Sequence, residues 1–153
     1  MSKDVCLYDN KVRICLPDEF EDREDVEQFY SSGKPDFLFK GRETNAVLSV
    51  SKVENISPKS SLEERINGYF NLYRTIIPNF DHYKIAKKVT KSGTEIAAFH
   101  YTSTSRERVL YNLFALTFVD NQDFIFLLHC DLEKIGACGI KFMNILSSIT
   151  MIK

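Results

Sequence analysis

The chain has 153 residues, of which 44% are apolar and 27% are charged. This length and balance favour a single globular domain, residues 1–153, with a hydrophobic core of its own. The 20 basic and 21 acidic residues leave a net charge of −1, which argues against electrostatic binding of nucleic acid. No apolar run approaches the roughly 20 residues that cross a bilayer, so we expect no membrane insertion.

The N-terminal stretch MSKDVCLYDN has neither the apolar segment nor the cleavage site of a secretory signal. We therefore expect a cytoplasmic protein, in which cysteines are most often reduced and buried. The four cysteines are Cys6, Cys15, Cys130 and Cys138.

The first predicted hairpin could turn at either of two positions. The position of the turn decides whether Cys6 and Cys15 face each other across the strands. A turn at residues 10–11 places Cys6 directly opposite Cys15, where a disulfide can form. A turn at residues 9–10 leaves the two cysteines unpaired. The four cysteines do not have the spacing of a zinc-binding motif, so we predict no metal and no other cofactor.

The first third of the chain alternates short strands with polar turns. The strands predicted there are residues 5–8, 12–16, 37–39 and 46–53. Pro17 ends the second strand because proline cannot donate to a strand ladder. Residues 22–30 predict a short surface helix with Val26, Phe29 and Tyr30 on one side.

Residues 61–77 carry the clearest helix pattern in the chain. Ser61 and Glu64 match a capping box, in which a hydroxyl and a carboxylate each accept from a backbone amide. Apolar side chains then recur at three- and four-residue intervals, which places them on one helical face. They are Leu62, Ile66, Tyr69, Phe70, Tyr73, Ile76 and Ile77. Pro78 ends this helix.

Four strands are predicted next, at residues 82–90, 94–103, 109–119 and 124–130. The last two are apolar at nearly every position, so we expect them at the centre of a sheet with both faces covered. Lysines in and beside the first of the four are typical of a solvated edge strand. These are Lys84, Lys87, Lys88 and Lys91.

A second helix is predicted over residues 132–149, where apolar side chains again recur every three or four positions. They are Leu132, Ile135, Cys138, Phe142, Ile145, Leu146 and Ile149. Gly136 and Gly139 weaken the middle of this helix by about 1 kcal/mol each relative to alanine. We interpret them as allowing the helix to lie close to the sheet.

Three polar residues inside the apolar strands form the candidate site. A two-residue turn at residues 121–122 places His129 opposite Phe114, and a turn at residues 105–107 places His100 opposite Asn112. In that register His100, Asn112 and His129 share one face of the sheet. The cluster indicates a small binding pocket or a proton-handling pair. The alternative is a set of core side chains that satisfy one another by hydrogen bonding.

The order of elements resembles the PsbP-like fold. The resemblance includes Leu16-Pro17-Asp18-Glu19-Phe20 after a strand, then a long helix and four antiparallel strands. It ends with FMNILSSI at residues 142–149 in a C-terminal helix. This class contains the photosystem-II extrinsic protein, a Ran-binding nuclear import factor and bacterial DcrB-like proteins. The chain is also loosely similar to small uncharacterised bacterial proteins, through Tyr30, residues 35–40, Tyr111-Asn112-Leu113 and Cys130.

The resemblance implies an α+β fold with α/β/α layers around a central antiparallel sheet. From the strand pattern we expect about six to eight strands in that sheet and two main helices. The PsbP-like class further implies a non-enzymatic binding or accessory domain. This sequence shows neither the signal peptide nor the lipidation cysteine of many DcrB-like members, so we do not expect a periplasmic or surface role.

Two functions follow as hypotheses. The first is a cytoplasmic binding domain that acts through a protein partner or as a homodimer, in a chaperone-like or immunity-type role. Its basis is a sheet that is apolar on both faces with only two helices to cover it, since uncovered apolar surface marks interfaces. The second is a small-ligand-binding domain, or an enzyme, that uses His100, Asn112 and His129.

Overall fold

The computed structural model describes residues 2–22, 35–54, 60–77, 80–82, 84–105, 107–119 and 121–152. The helices are α1 (Leu62–Ile76) and α2 (Ile135–Ser147), and a short 3-10 turn (Leu132–Lys134) leads into α2. The strands are β1 (Ser2–Leu7), β2 (Val12–Pro17), β3 (Phe20–Asp22), β4 (Phe37–Gly41), β5 (Val47–Glu54), β6 (Asp81–His82), β7 (Ala86–Val89), β8 (Glu95–Ser105), β9 (Arg108–Val119), β10 (Gln122–Asp131) and β11 (Thr150–Met151).

The main sheet has eight antiparallel strands in the order β3-β4-β5-β10-β9-β8-β6, and β7 also pairs with β8. The two apolar strands β9 and β10 lie at its centre, as the sequence predicts. The predicted α+β class and the central antiparallel sheet are confirmed. The lysine-bearing strand β7 lies at the edge, and all four of its residues are exposed.

The two faces of the main sheet hold separate cores because side chains alternate along each strand. On one face, Ile66 of α1 packs with Phe99 and Phe114, whose stacked rings have centroids 4.9 Å apart. On the other face, Phe142 of α2 packs with Phe126 and with other apolar residues of β5, β9 and β10. One helix therefore covers each face, which is the α/β/α layering expected.

A second, three-stranded sheet in the order β1-β2-β11 packs on the α2 side of the main sheet. The predicted C-terminal helix is too long, because α2 ends at Ser147 and the chain then forms β11, which pairs with β2. Ser148 ends the helix: its hydroxyl donates to the Ile145 carbonyl at 2.6 Å and accepts from the Cys15 amide at 2.9 Å. The buried Ile149 therefore does not extend the helical stripe.

The capping box at the start of α1 is confirmed. The Ser61 hydroxyl accepts from the Glu64 amide at 3.1 Å, and the Glu64 carboxylate accepts from the Ser61 amide at 3.3 Å. The helix ends at Ile76, one residue before its predicted end.

The first hairpin follows the second of the two turns left open by the sequence. Leu7 pairs with Val12, so Cys6 lies opposite Arg13 and Cys15 lies opposite Asp4. Both cysteines are therefore free. The turn needs left-handed backbone at three successive residues, with φ of 54° at Tyr8, 55° at Asp9 and 69° at Asn10.

Two further strand predictions differ from the structure. The strand predicted at residues 82–90 is divided into β6 and β7, both of which pair with β8. Residues 20–22 form β3, an edge strand that the sequence did not predict. Most of the helix predicted at residues 22–30 lies outside the described residues.

Candidate functional site

The register of the central strands separates the three predicted site residues. Ser105 pairs with Arg108, so the β8–β9 turn spans two residues instead of three, with Glu107 in left-handed backbone at φ 68°. This shift by one position places His100 opposite Leu113 instead of Asn112. A one-residue shift turns every side chain to the other face. The predicted placement of His100 beside Asn112 is therefore wrong. His100 lies on the α2 side of the sheet.

Asn112 and His129 remain together on the α1 side. They are paired directly across β9 and β10, where the prediction had paired His129 with Phe114. The Asn112 side-chain amide donates to the Ser103 hydroxyl at 2.9 Å. Asn112 is buried, so this bond satisfies a polar group that would be costly to leave unpaired.

The electrostatics around His129 favour its neutral form. Burial, and then the positive charge of Arg108, lower the pKa of His129 to about 4, while Asp131 opposes the shift. Arg108 and Asp131 form an ion pair next to it, with Arg108 Nε 3.0 Å from Asp131 Oδ1. Near neutral pH the His129 ring is therefore uncharged and can both donate and accept a hydrogen bond.

His100 is half-buried on the α2 side of the sheet. Its ring contacts the Tyr111 ring edge to face, with centroids 5.7 Å apart, and Tyr111 stacks on Phe142 of α2. Burial, followed by the nearby charge of Lys88, lowers the pKa of His100. The ring therefore lies on the opposite side of the sheet from Asn112 and His129.

A buried ion pair, which no local sequence pattern indicates, joins α1 to the central hairpin. Arg65 Nη1 lies 2.5 Å from Asp123 Oδ1, and both side chains are fully buried. The Tyr69 hydroxyl donates to Asp123 Oδ2 at 2.9 Å. The Arg65 guanidinium also lies over the Phe118 ring, 3.8 Å from its centroid. Arg65 lies beside Ile66 on the apolar stripe of α1, and only the tertiary structure brings Asp123 next to it.

A shallow cleft of about 360 Å³ lies between the start of α1 and β7. It is lined by Ser61, Leu62, Glu63, Lys87, Lys88, Val89 and Glu95. Lys87 Nζ lies 3.8 Å from Glu63 Oε2, and both side chains are more than half exposed. Two lysines and two glutamates line the cleft, so it has no net charge with which to select an ionic ligand.

The side of α2 that points away from the sheet is largely exposed and mostly apolar. We call it the outer face of α2, and it comprises Gly136, Ile140, Met143, Asn144 and Ser147. Ile140 is 70% exposed and Met143 is 40% exposed. Lys141, the only charged residue of α2, forms an ion pair with Glu19 beside this face.

The two glycines of α2 have open space beside them. A Cβ atom added at Gly136 or at Gly139 would meet no atom within 4 Å. The interpretation that these glycines let α2 lie close to the sheet is therefore wrong. Helical periodicity places Gly136 opposite Cys138 and Ile145, which face the sheet, and places Gly139 at the edge of the buried side, one turn before Phe142.

Solved structures of other proteins share this arrangement of strands and helices. CyanoP, the cyanobacterial PsbP of Synechocystis sp. PCC 6803, superposes with a TM-score of 0.70 at 13% identity, over 99% of this chain and 92% of that chain. The chain has the PsbP-like fold. PA94 of Pseudomonas aeruginosa, a protein of unknown function, has a TM-score of 0.65 at 10% identity, over 99% and 98% of the two chains.

LpqN of Mycobacterium tuberculosis, which is involved in cell envelope biogenesis, has a TM-score of 0.63 at 10% identity, over 100% of this chain and 91% of that chain. No family model matches the sequence, and no curated protein is significantly similar to it. At these identities the likeness establishes the PsbP-like fold and no more.

Within the described part of this chain, no group of three or more His, Cys, Asp or Glu side chains could hold a metal ion. Neither described helix is long and apolar enough to span a membrane. Cys130 of β10 and Cys138 of α2 are buried free thiols. Burial, followed by the neighbouring Cys138 thiol, raises the pKa of Cys130 to about 12, and a thiol in that state is a poor nucleophile.

Proposed function

We propose that this chain is a non-catalytic binding domain that acts through a protein partner, which it contacts with the outer face of α2. The observation that carries the proposal is the exposure of Ile140 and Met143 on α2. The only charged residue of this helix, Lys141, is paired with Glu19. Contiguous exposed apolar surface is typical of sites where proteins associate. A chaperone-like or immunity-type role is the narrower form of the same proposal.

The other helix supports this choice of surface by contrast. On α1 the residues that point away from the sheet are mostly polar, and they are Glu64, Asn71 and Thr75, together with Gly68. That pattern is typical of a helix whose outer side stays in water. Leu72 and Ile76 of α1 are also exposed. The two helices differ in charge, because Lys141 is the only charged residue of α2, whereas α1 contains Glu63, Glu64, Arg65 and Arg74.

Substitution of Ile140 by glutamate tests the proposal. We expect Ile140→Glu to reduce the amount of bound partner at least about tenfold, because it places a charge in the centre of the apolar face. The measurement is quantitative mass spectrometry of proteins that co-purify with the tagged chain from native lysate. Leu72→Glu is the matched control, because Leu72 is 51% exposed on α1. If every protein retained by the wild type is retained equally by Ile140→Glu, the proposal is wrong.

A second candidate function is a small-ligand site at Asn112 and His129, without His100. The supporting observation is that these two polar side chains face each other on an otherwise apolar sheet face. A screen of small-molecule fragments tests this site, with the imidazole resonances of His129 and His100 observed by nuclear magnetic resonance. Binding at this site shifts the His129 ring and leaves the His100 ring, on the opposite face, unchanged. Fragments that shift neither ring, or both rings equally, would argue against the site.

A further inference from the structure

The strand β7 forms an open edge of the main sheet. Among the described residues it pairs only with β8, and all four of its residues are exposed. Val89 alone is 66% exposed, so the outer side of the strand is in contact with solvent. An open strand edge presents unpaired backbone N–H and C=O groups, with which another extended chain can pair.

The register of the β7–β8 hairpin decides which backbone groups point outward. The Thr90 amide donates to the Thr94 carbonyl at 2.9 Å, which makes these two residues a hydrogen-bonded pair. Hydrogen-bonded and non-hydrogen-bonded pairs alternate along an antiparallel ladder. Val89 and Lys87 therefore belong to the non-hydrogen-bonded pairs. Their N–H and C=O groups point away from β8, toward the open edge.

The cleft between the start of α1 and β7 lies beside this edge. Lys87 pairs with Ala97, which belongs to the core on the α1 side. The side chains of Lys87 and Val89 therefore face the cleft, which Leu62 of α1 also lines. A residue of an added strand that pairs with Val89 points its side chain to the same face. The cleft favours an apolar side chain at that position, because it lies between Leu62 and Val89.

Lysines determine the charge of this edge. Lys88 alternates with Lys87 and lies on the other side of β7. Lys84 and Lys91 flank the strand, and both are exposed. None of Lys84, Lys88 and Lys91 has a carboxylate partner among the described residues. Two copies of this edge would repel each other, whereas an acidic segment would be attracted.

We infer that β7 binds an extended, acidic segment of a partner protein, which adds to the main sheet as a further strand. The backbone of the segment bonds to Lys87 and Val89, as in other proteins that bind peptides at a sheet edge. An apolar side chain of the segment enters the cleft beside Leu62, and an acidic side chain lies opposite Lys88. This edge is separate from the outer face of α2, so the inference does not rest on the proposed function.

Phage display of random peptides of about eight residues tests the chemistry of the occupant. The peptides are selected against the wild-type chain, and the affinity of each enriched peptide is then measured by fluorescence anisotropy. We expect enriched peptides in which acidic and apolar residues alternate, with binding that weakens as salt is added. Enrichment of basic or uncharged peptides only, or of none, would overturn the inference.

Proline at Val89 tests the backbone pairing. Val89→Pro removes an outward N–H group but no bond to β8, and proline is tolerated at such positions of edge strands. We expect it to weaken binding of the enriched peptides at least about tenfold. Val89→Thr is the matched control, because it keeps both the N–H group and the β-branched shape, and circular dichroism confirms that both variants are folded. Equal binding by Val89→Pro and Val89→Thr would contradict strand addition.

Amide hydrogen exchange locates the added strand directly. In the free chain we expect fast exchange at Lys87 and Val89 and slow exchange at Lys88, whose N–H group bonds to β8. Bound peptide is expected to slow Lys87 and Val89 and to leave Lys88 unchanged. Unchanged rates at Lys87 and Val89 in the complex would place the peptide elsewhere. Self-association of the wild type that is lost in Val89→Pro would identify a second copy as the occupant and overturn the acidic segment.

Discussion

Substitution of Asp123 by alanine is expected to lower the free energy of unfolding by about 3–5 kcal/mol, because it leaves the Arg65 guanidinium buried without its carboxylate. Both side chains are fully buried, 2.5 Å apart, so water cannot replace the lost partner without opening the core. The pair also joins α1 to the beginning of β10, so its loss removes a buried polar contact between the helix and the central hairpin. Urea denaturation followed by far-ultraviolet circular dichroism measures the change.

Two companion variants separate the ion pair from its surroundings. Tyr69→Phe removes only the 2.9 Å hydrogen bond to Asp123 and is expected to cost about 1 kcal/mol. The double variant Arg65→Met with Asp123→Leu is expected to recover most of the loss, because two apolar side chains carry no desolvation penalty. A loss below about 1 kcal/mol in Asp123→Ala would contradict a buried pair at this position.

Stability is expected to fall by up to about 3 kcal/mol as the pH drops from near 6.5 to near 4, through His129 alone. Burial and Arg108 lower the folded-state pKa of His129 to about 4, below its unfolded value of about 6.5. Above the unfolded pKa the ring is neutral in both states, and its contribution to stability is complete. Between the two values only the unfolded state takes up the proton, so protonation favours unfolding.

A comparison of variants isolates this contribution from that of the carboxylates. The free energy of unfolding is measured by urea denaturation from about pH 7 to about pH 5 for the wild type and for His129→Gln. We expect the wild type to lose stability more steeply over this range, since glutamine does not titrate. His100→Gln is measured in the same way, as a control variant that removes the histidine on the opposite face of the sheet. Equal slopes in the wild type and His129→Gln would show that His129 is not held neutral by the fold.

Local patterns predicted the parts of this protein that depend on neighbours in sequence. Ser61 and Glu64 are three residues apart, so their capping box follows from the geometry of a single helical turn. The continuous apolar character of β9 and β10 likewise predicted their central place, because only strands covered on both faces need apolar side chains at every position.

The candidate site depended on information that local patterns do not contain. One residue fewer in the turn before Arg108 moved His100 to the other face of the sheet and removed it from the predicted cluster. Arg65 and Asp123 are 58 residues apart in sequence and have no pattern that connects them. The left-handed turn at Tyr8, which set the register of the first hairpin, contains no glycine that would have indicated it.

The sequence by itself determined the class of the fold, the two helices and the central apolar strands, because hydrophobic periodicity acts over a few residues. Only the tertiary structure decided which polar side chains meet and which apolar ones stay exposed. Register depends on turn length, and exposure depends on what packs against each face. The exposed outer face of α2 is the clearest case: Ile140 and Phe142 are both apolar in the sequence, yet one is 70% exposed and the other is buried.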